Sequence, residues 1–307
     1  MPTKRSKTGL PAASSDRRLT IGLPKGSLQE ATVKLMERAG FKVVISERSY
    51  TPSIDDSELA PMLLRAQEMS RYVEQGVLDC GITGNDWVLE NHSRVERVAE
   101  LMYAKRTRHS VRWVLAVPDG SKIKTVKDLE GKRIATEVVN VTKKYLKKNN
   151  VSADVEFSWG ATEAKANMGL IDGIVEVTET GSSLRANNLR IIDEVLPSTT
   201  QFIANKAVYK NNAWKRKKMD NIALLLNGAI SAEGKVGLKM NVSEKHLAEI
   251  LQILPAMKTP TISRLSQSGW FDVDTIIDER VVRNIIPKLK DAGAEGIIEY
   301  PLNKAID

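Results

Sequence analysis

The chain has few of the residues that build disulfide scaffolds or metal sites. It contains a single cysteine, Cys80, so no internal disulfide can form, which fits a reducing compartment. The three histidines, His92, His109 and His246, lie far apart, and no Cys/His spacing is typical of a zinc site. No apolar run approaches the ~18 residues needed to span a bilayer. These absences argue against a disulfide-rich secreted protein, a zinc module and a membrane partner.

The composition is otherwise that of a globular protein. Of the 307 residues, 42% are hydrophobic and 27% are charged, and this length allows two or three domains. The net charge of +8 is concentrated in residues 1–18 and in Lys210–Lys218, and the rest of the chain is nearly neutral. We therefore expect no nucleic-acid partner, and interpret the two clusters as a solvated tail and a solvated helix face.

The pattern along the chain predicts an α/β fold with two lobes. Residues 1–18 lack the apolar core of a secretory signal, so we predict a disordered basic tail, with a transit peptide as the alternative. From Leu19 onward, short apolar strands alternate with amphipathic helices, which is typical of mostly parallel sheets covered by helices. We predict lobe I at 19–110, with 195–210 returning to it, and lobe II at 111–194, with a cleft between them.

The C-terminal part has a different pattern. In Lys235–Val242, apolar and polar residues alternate as in a half-exposed strand, and further strands and two helices follow. The predicted order is βαββαβ, the ferredoxin-like plan. We therefore predict a linker helix and such a module at 211–307.

The segment Gly22–Ser27, with the sequence GLPKGS, has the components of an anion site. Gly26 permits close approach of a ligand to the backbone, and Lys25 adds a positive charge. Ser27 and Glu30 have the S-x-x-E spacing of a capping box that would begin the next helix. The alternative interpretation is a plain turn between a strand and a helix.

A second segment, LDCGITGNDW, places glycines at the carboxyl end of a strand, where open α/β sheets bind ligands. Asp86 either contacts a ligand or caps the next helix. Trp87 either stacks on a base or fills the core.

The third segment, from Asp172 to Arg185, is the most informative. A buried strand leads into the acidic residues Glu176 and Glu179 and then into Thr-Gly-Ser-Ser at 180–183. Three hydroxyls and the backbone N–H groups of a helix start are the donors that a phosphate monoester needs. The preceding acids can bind ribose hydroxyls or hold Mg²⁺. The order is similar to the loop with which phosphoribosyltransferases hold the 5-phosphate of phosphoribosyl pyrophosphate (PRPP). A capped helix with solvated acids is the alternative.

Together, GLPKGSL, LDCGITGNDW, EVTETGSSLRANNL and the βαββαβ tail resemble the long form of ATP phosphoribosyltransferase over roughly residues 19–305. That family catalyses the first step of histidine biosynthesis, in which N1 of the ATP adenine displaces pyrophosphate from PRPP, and it requires Mg²⁺. In one departure from the family, Arg65 is followed by Ala-Gln-Glu where Asp-Ile-Pro is usual.

The resemblance implies roles for individual residues. It implies catalytic roles for Lys25, Glu163, Asp172 and Glu176, of which Asp172 and Glu176 would also bind the metal. It implies that PRPP contacts Glu179, Thr180, Gly181, Ser182, Ser183 and Leu184. It implies that ATP contacts Gly26, Ser27, Arg65 and Asp86. It implies that the effector histidine contacts Thr259, Thr261 and Ser263.

The resemblance also implies the setting of the enzyme. The substrates would be ATP and PRPP, and the inhibitor would be histidine, with AMP as a second candidate. The lobes would resemble periplasmic binding proteins and close over the substrates, and the C-terminal module would be an ACT-like regulatory domain. A cytoplasmic homo-oligomer, a dimer or a hexamer, is expected. Two rival hypotheses are a non-catalytic solute-binding module and a transferase whose regulation has been lost or changed.

Overall fold

The structure is a computed structural model that describes residues 17–46, 50–103, 110–255 and 259–306. His109 and most of the predicted basic tail lie outside the described residues. The chain divides into two compact units, residues 1–224 and 225–307. The division falls inside a long helix, whereas we predicted a boundary at 211. No helix within the described ranges combines the length and apolarity needed to cross a membrane.

The first unit contains twelve of the strands within the described residues, and the helices between them. In chain order its elements are β1 (Leu19–Lys25), α1 (Gln29–Ala39), β2 (Val43–Val44), β3 (Ser53–Ile54), β4 (Leu59–Arg65), α2 (Ala66–Glu74), β5 (Cys80–Gly84), α3 (Asn85–Glu90), β6 (Glu96–Leu101), β7 (Val111–Pro118), β8 (Arg133–Thr136), α4 (Val139–Lys148), β9 (Asp154–Phe157), α5 (Thr162–Asn167), β10 (Gly173–Thr178), α6 (Ser182–Ala186), β11 (Leu189–Ser198), β12 (Thr200–Ala204), α7 (Lys206–Asn211) and α8 (Ala213–Ala232).

Two five-stranded sheets form the two lobes of this unit, which confirms the α/β class. The first has the order β4-β1-β5-β12-β6 and the second the order β11-β7-β10-β8-β9. In the first, β1 runs parallel to β4 and β5, and in the second, β10 runs parallel to β8. The central strands are buried, since β5 has no exposed residue and the side chains of Ile21 and Leu23 are at most 1% exposed. Burial on both faces explains their almost continuous apolar sequences.

The chain crosses between the sheets twice. It leaves the first sheet after Leu101 and enters the second at Val111. Strand β11 stays paired with β7 as far as Ser198, and Thr200 is the first residue of β12 in the first sheet. The return therefore begins later than the predicted position, 195, because pairing with β7 holds the intervening residues in the second lobe.

Helix α8 is attached to the first lobe by ion pairs. The Lys215 Nζ lies 2.7 Å from both carboxylate oxygens of Asp79, whose side chain is only 8% exposed. The Lys218 Nζ lies 2.6 Å from Asp56 and 2.7 Å from Glu58. The prediction of a solvated basic helix face was therefore wrong for these two lysines, because acids more than 130 residues away in sequence supply their partners.

The second unit forms one four-stranded sheet covered on one face. Its elements are β13 (Lys235–Ser243), α9 (Glu244–Ile253), β14 (Thr261–Arg264), β15 (Trp270–Asp278), α10 (Glu279–Asp291) and β16 (Glu295–Pro301). The sheet order is β14-β15-β13-β16, and all of its pairs are antiparallel. Leu238, Met240 and Val242 on β13 are fully buried in the core of this unit.

Candidate functional site

A cavity of about 430 Å³ opens between the two lobes of the first unit. It lies where strands of both sheets end, since Lys25, Arg65 and Gly84 are the last residues of β1, β4 and β5, and Thr178 is the last residue of β10. Ligands of open α/β sheets bind at these carboxyl ends. The volume is within the range of about 300–1,000 Å³ that is usual for small-molecule sites.

The loop after β10 presents hydroxyls to solvent. Gly181 has φ 72°, and its N–H donates to the Thr178 Oγ1 at 2.7 Å, which closes a tight turn. Thr180, Ser182 and Ser183 are exposed, and the Ser183 Oγ donates to the Glu163 carboxylate at 3.2 Å. Glu179 lines the cavity, and the loop Thr180–Ser183 follows it directly in sequence. The hydroxyls are therefore accessible to an anion.

Two residues of this loop have restricted roles. A side chain at Gly181 would place Cβ 2.9 Å from the Arg185 guanidinium and would also have to adopt a left-handed backbone conformation. The side chain of Leu184 is 1% exposed and belongs to the core of the second lobe. Its predicted contact with PRPP is therefore limited to its backbone.

Carboxylates gather on the second-lobe wall of the cleft. Burial, together with the charges of Glu163 and Glu137, raises the pKa of Glu176 to about 7, and a hydrogen bond from the Val177 N–H offsets part of that effect. Glu176 and Glu137 both line the cavity. Glu176 can thus bind as an anion or hold a proton near neutral pH.

Asp172 does not reach the cleft. It precedes β10, and its carboxylate accepts hydrogen bonds from the Arg133 N–H at 2.9 Å and approaches the Lys132 Nζ at 3.9 Å. At ~3.3 Å per residue, the six-residue strand separates it by about 20 Å from Thr178. This position contradicts its predicted catalytic and metal-binding roles, because only the opposite end of β10 opens onto the cavity.

The first lobe contributes the positive charges. Lys25, Gly26, Ser27 and Arg65 line the cavity, and the Lys25 Nζ lies 4.1 Å from the centre of the Tyr50 ring. Gly26 has φ 103°, a conformation that a residue with a side chain rarely adopts. The N–H of Gln29 donates to the carbonyl of Gly26, so Ser27 lies inside this turn.

The predicted capping box at Ser27 was wrong. Helix α1 begins at Gln29 with Leu28 as its N-cap, and no side chain caps it. Glu30 pairs instead with Lys34 at 2.6 Å, one helical turn further on. Because of the turn at Gly26, Ser27 precedes the N-cap position, and its hydroxyl therefore accepts no hydrogen bond from a backbone N–H of the helix.

Asp86 joins the two lobes. It is 4% exposed, and its carboxylate accepts from the indole N–H of Trp113 at 2.6 Å. Its backbone N–H donates to the Ser198 Oγ at 3.0 Å. Asp86 lies on α3 in the first lobe, while Trp113 and Ser198 lie on β7 and β11 in the second. Burial raises the pKa of this carboxyl.

Asp86 is not the N-cap of α3, which is Gly84, although its Oδ1 accepts a hydrogen bond from the Trp87 N–H at 3.0 Å within the first turn. Asp86 lines the cavity, so its contact with a ligand stays a prediction. Trp87 packs edge-on against Trp113, with ring centres 5.9 Å apart, and it joins the core of the second lobe. The interpretation of Trp87 as a core residue therefore describes it better than base stacking.

Trp159 was not among the predicted site residues. This residue lines the cavity with 66% of its surface exposed, and the Arg65 guanidinium lies 5.3 Å from its ring centre. The only signal in the sequence was a tryptophan that is followed by glycine and lies outside any apolar periodicity. Gln67 and Glu137, which face each other across the cleft at 3.5 Å, were also missed, and nothing in their sequence context marks them.

The predicted effector residues lie in the second unit. Thr259, Thr261 and Ser263 are all exposed. Thr261 and Ser263 belong to the edge strand β14, where they pair with Asp274 and Asp272 of β15. Their side chains are therefore accessible to an effector.

A cleft with carboxylates on one wall and cations on the other, next to a loop of exposed hydroxyls, is typical of enzymes that bind phosphorylated small molecules. The sequence model of the ATP phosphoribosyltransferase family matches residues 65–228, and that of the HisG C-terminal domain matches residues 232–304. The ATP phosphoribosyltransferase of Chlorobaculum parvum is 57% identical over 295 residues, which cover 96% of this chain and 100% of that protein. That of Solibacter usitatus is 59% identical over 288 residues, which cover 94% and 99%.

A solved structure agrees with these matches. The ATP phosphoribosyl transferase (HisG:HisZ) complex from Thermotoga maritima contains a chain that is 28% identical, with a TM-score of 0.60, and the match covers 70% of this chain and 100% of that one. The chain belongs to the ATP phosphoribosyltransferase family and is therefore a pentosyltransferase of the first step of histidine biosynthesis. Family membership argues against the rival hypothesis of a non-catalytic solute-binding module.

Proposed function

We propose that this protein transfers the phosphoribosyl group of PRPP to N1 of the adenine of ATP and releases pyrophosphate. The observation that carries the proposal is the loop Thr180–Ser183, whose hydroxyls are exposed and which directly follows Glu179 at a cavity that Glu176, Lys25 and Arg65 also line. Such a site holds a sugar phosphate at one end and a second polyphosphate at the other.

The roles of the residues follow from their positions. The 5-phosphate of PRPP would accept hydrogen bonds from Thr180, Ser182 and Ser183 and from the first N–H groups of the loop. The Ser183 hydroxyl, which donates to the Glu163 carboxylate in this structure, would turn from that carboxylate to the phosphate. Lys25 and Arg65 would contact the phosphates of pyrophosphate or ATP. The N1 atom of adenine has a lone pair and needs no deprotonation, so the site requires positioning and charge stabilisation more than a general base.

The family requires a divalent metal ion, and we propose Mg²⁺. Among the residues that the structure describes, no three His, Cys, Asp or Glu side chains cluster as a metal cage. This fits Mg²⁺, which usually takes one or two carboxylates and completes its shell with substrate phosphates and water. Glu176 is the carboxylate best placed to contribute. When bound, the ion would neutralise negative charge on the departing pyrophosphate.

The two lobes would close over the substrates in the manner of periplasmic binding proteins. The cleft already has weak contacts across its mouth, between Gln67 and Glu137 and between Arg65 and Trp159. Closure would exclude water and so suppress hydrolysis of PRPP.

The second unit would be a histidine-binding regulatory domain. Its element order and its sheet order, β14-β15-β13-β16, support a ferredoxin-like, ACT-like plan. Thr259, Thr261 and Ser263 offer exposed hydroxyls to an amino-acid effector. Inhibition at a distance requires two states with different affinity for histidine, which we propose are two arrangements of a homo-oligomer, a dimer or a hexamer. A cytoplasmic location, and AMP as a second inhibitor, remain predictions from the family.

An absorbance assay tests the catalytic proposal. The purified chain mixed with ATP, PRPP and Mg²⁺ should develop the near-ultraviolet absorbance of phosphoribosyl-ATP, and mixtures lacking PRPP or Mg²⁺ should not. Failure to form product while both substrates bind would reject the activity. Histidine at millimolar concentration should slow the same reaction, and an unchanged rate would reject the regulatory proposal alone and favour lost regulation.

A further inference from the structure

Trp159 occupies an unusual position for a large aromatic residue. Its side chain is 66% exposed, yet it lines a cleft that also contains the charged side chains of Lys25, Arg65 and Glu176. The loop that carries it is held in a specific shape, since Gly160 has φ 71° and Ala161 has φ 51°. A left-handed alanine is strained, and such strain persists where the surrounding structure determines it, often at functional sites.

The start of α5 determines that shape. The carbonyl of Ala161 accepts hydrogen bonds from the N–H groups of Ala164 and Lys165, and Ala161 is the N-cap of the helix that carries Glu163. The indole and the carboxylate that accepts a hydrogen bond from the Ser183 hydroxyl are therefore positioned by the same turn.

Trp159 is the cavity-lining aromatic residue, among those described, whose ring is largely exposed. The Trp113 ring is 1% exposed and its N–H is donated to Asp86, and Trp87 packs edge-on against it. Tyr103 is 8% exposed and shares a 2.7 Å hydrogen bond with Thr32. Trp113 and Tyr103 are therefore buried by packing, and Trp87 is partly buried, so Trp159 is the ring of this group that is most open to a ligand.

The face of Trp159 has a weak occupant from the opposite lobe. The Arg65 guanidinium lies 5.3 Å from the ring centre, within the range of a cation–π contact but at its long end. Arg65 is exposed and stands at the end of β4, beside Lys25 at the end of the neighbouring strand. A guanidinium in this position can leave the ring for a phosphate, which it binds more strongly through charge-assisted hydrogen bonds.

We propose that Trp159 is the surface on which the purine ring of ATP stacks, and that Arg65 leaves the indole for the nucleotide's phosphates when ATP binds. This inference rests on the proposed function, because it takes ATP as the substrate. Stacking on an aromatic side chain recognises the flat face of a base and requires no hydrogen bond to it. One movement of Arg65 would thus uncover the base site and complete the phosphate site.

Three variants and two ligands test the proposal. Trp159→Ala removes the surface, Trp159→Phe keeps a smaller one, and Phe157→Leu is the matched control, an exposed ring whose centre lies 6.3 Å from Trp159 and which does not line the cavity. Calorimetric titration with ATP measures base and phosphate recognition together, whereas titration with inorganic tripolyphosphate measures phosphate recognition alone.

The expected result is a loss specific to the base. Stacking on one aromatic side chain corresponds to about a 5- to 150-fold change in affinity, so Trp159→Ala should weaken ATP binding and raise KM for ATP within that range. Tripolyphosphate binding and KM for PRPP should change less than about 3-fold, since neither ligand stacks on the indole. Trp159→Phe should lose less ATP affinity than Trp159→Ala, and Phe157→Leu should match the wild type. The ATP-induced change in tryptophan fluorescence should largely disappear in Trp159→Phe, although four other tryptophans remain.

The outcomes separate this inference from the proposed function. Unchanged ATP affinity in Trp159→Ala, or an equal loss for tripolyphosphate, overturns the stacking role, and product formation by the wild type would then leave the proposed activity standing. If the wild type makes no product but binds ATP in a Trp159-dependent way, the stacking role stands and the proposed activity fails. Equal melting temperatures of the variants and the wild type exclude a folding defect.

Discussion

Glu176→Gln should make the protein more stable at alkaline pH. The pKa of Glu176 rises from 4.5 to about 7, first because the side chain is buried and then because Glu163 and Glu137 are nearby. A difference of one in pKa between the folded and unfolded states corresponds to about 1.4 kcal/mol. Ionised Glu176 therefore lowers the free energy of unfolding by at most about 3 kcal/mol. Glutamine has nearly the same shape and carries no charge, so it avoids this cost.

The sign of the pH dependence follows from proton binding. Between about pH 4.5 and pH 7, the folded state holds the Glu176 proton more tightly than the unfolded state does. The stability of the wild type therefore falls as the pH rises through this window, relative to the glutamine variant. The advantage of Glu176→Gln should be absent at pH 4.5 and complete at pH 8.

Thermal unfolding without ligands measures this difference. For a unit of this size, 1 kcal/mol shifts the melting temperature by about 2–4 °C, so a gain of about 3 kcal/mol would raise the melting temperature of the variant by about 6–12 °C at pH 8. Glu156→Gln, an exposed glutamate on β9, is the control and should give the same small effect at both pH values. An advantage equal at pH 4.5 and pH 8, or a loss of stability at pH 8, would refute the reasoning. The same variant should turn over substrate more slowly, because it loses the proposed metal and ribose contact.

Three further changes have defined outcomes. Ser183→Ala should weaken PRPP binding about 10- to 100-fold, because a hydrogen bond to a charged group is lost, while KM for ATP stays nearly constant. Equal losses of affinity for both substrates would contradict the proposed role of Ser183. Lys215→Met should lower the free energy of unfolding by about 3 kcal/mol in urea, because the buried Asp79 loses its cation, and the exposed Lys210→Met is the control. Trp113→Phe should cost about 1–3 kcal/mol, because Asp86 loses its indole donor. The cost should grow as the pH rises above the raised pKa of Asp86, since protonation below that pKa relieves the buried charge; a cost independent of pH would argue against this hydrogen bond.

Local sequence patterns were sufficient for the elements on either side of the predicted phosphate loop. The alternation of apolar and polar residues predicted the strands and helices around GLPKGS and TGSS, because hydrophobic periodicity reflects which faces are buried. The exposed hydroxyls at 180–183 agree with that prediction, since a glycine turn after a buried strand must lie at the surface of the sheet edge. Four segments that occur in the same order as in the family were sufficient to identify the family from the sequence.

The tertiary structure decided which of these residues share a site. Asp172 and Glu176 lie on one strand, but only the end near Glu176 opens onto the cleft. Lys215 forms an ion pair with Asp79, which lies 136 positions away in sequence, and the Arg65 guanidinium contacts the Trp159 ring from the opposite lobe. Such pairs depend on how two sheets approach each other. Local periodicity records burial along one element and carries no information about which distant side chain faces it.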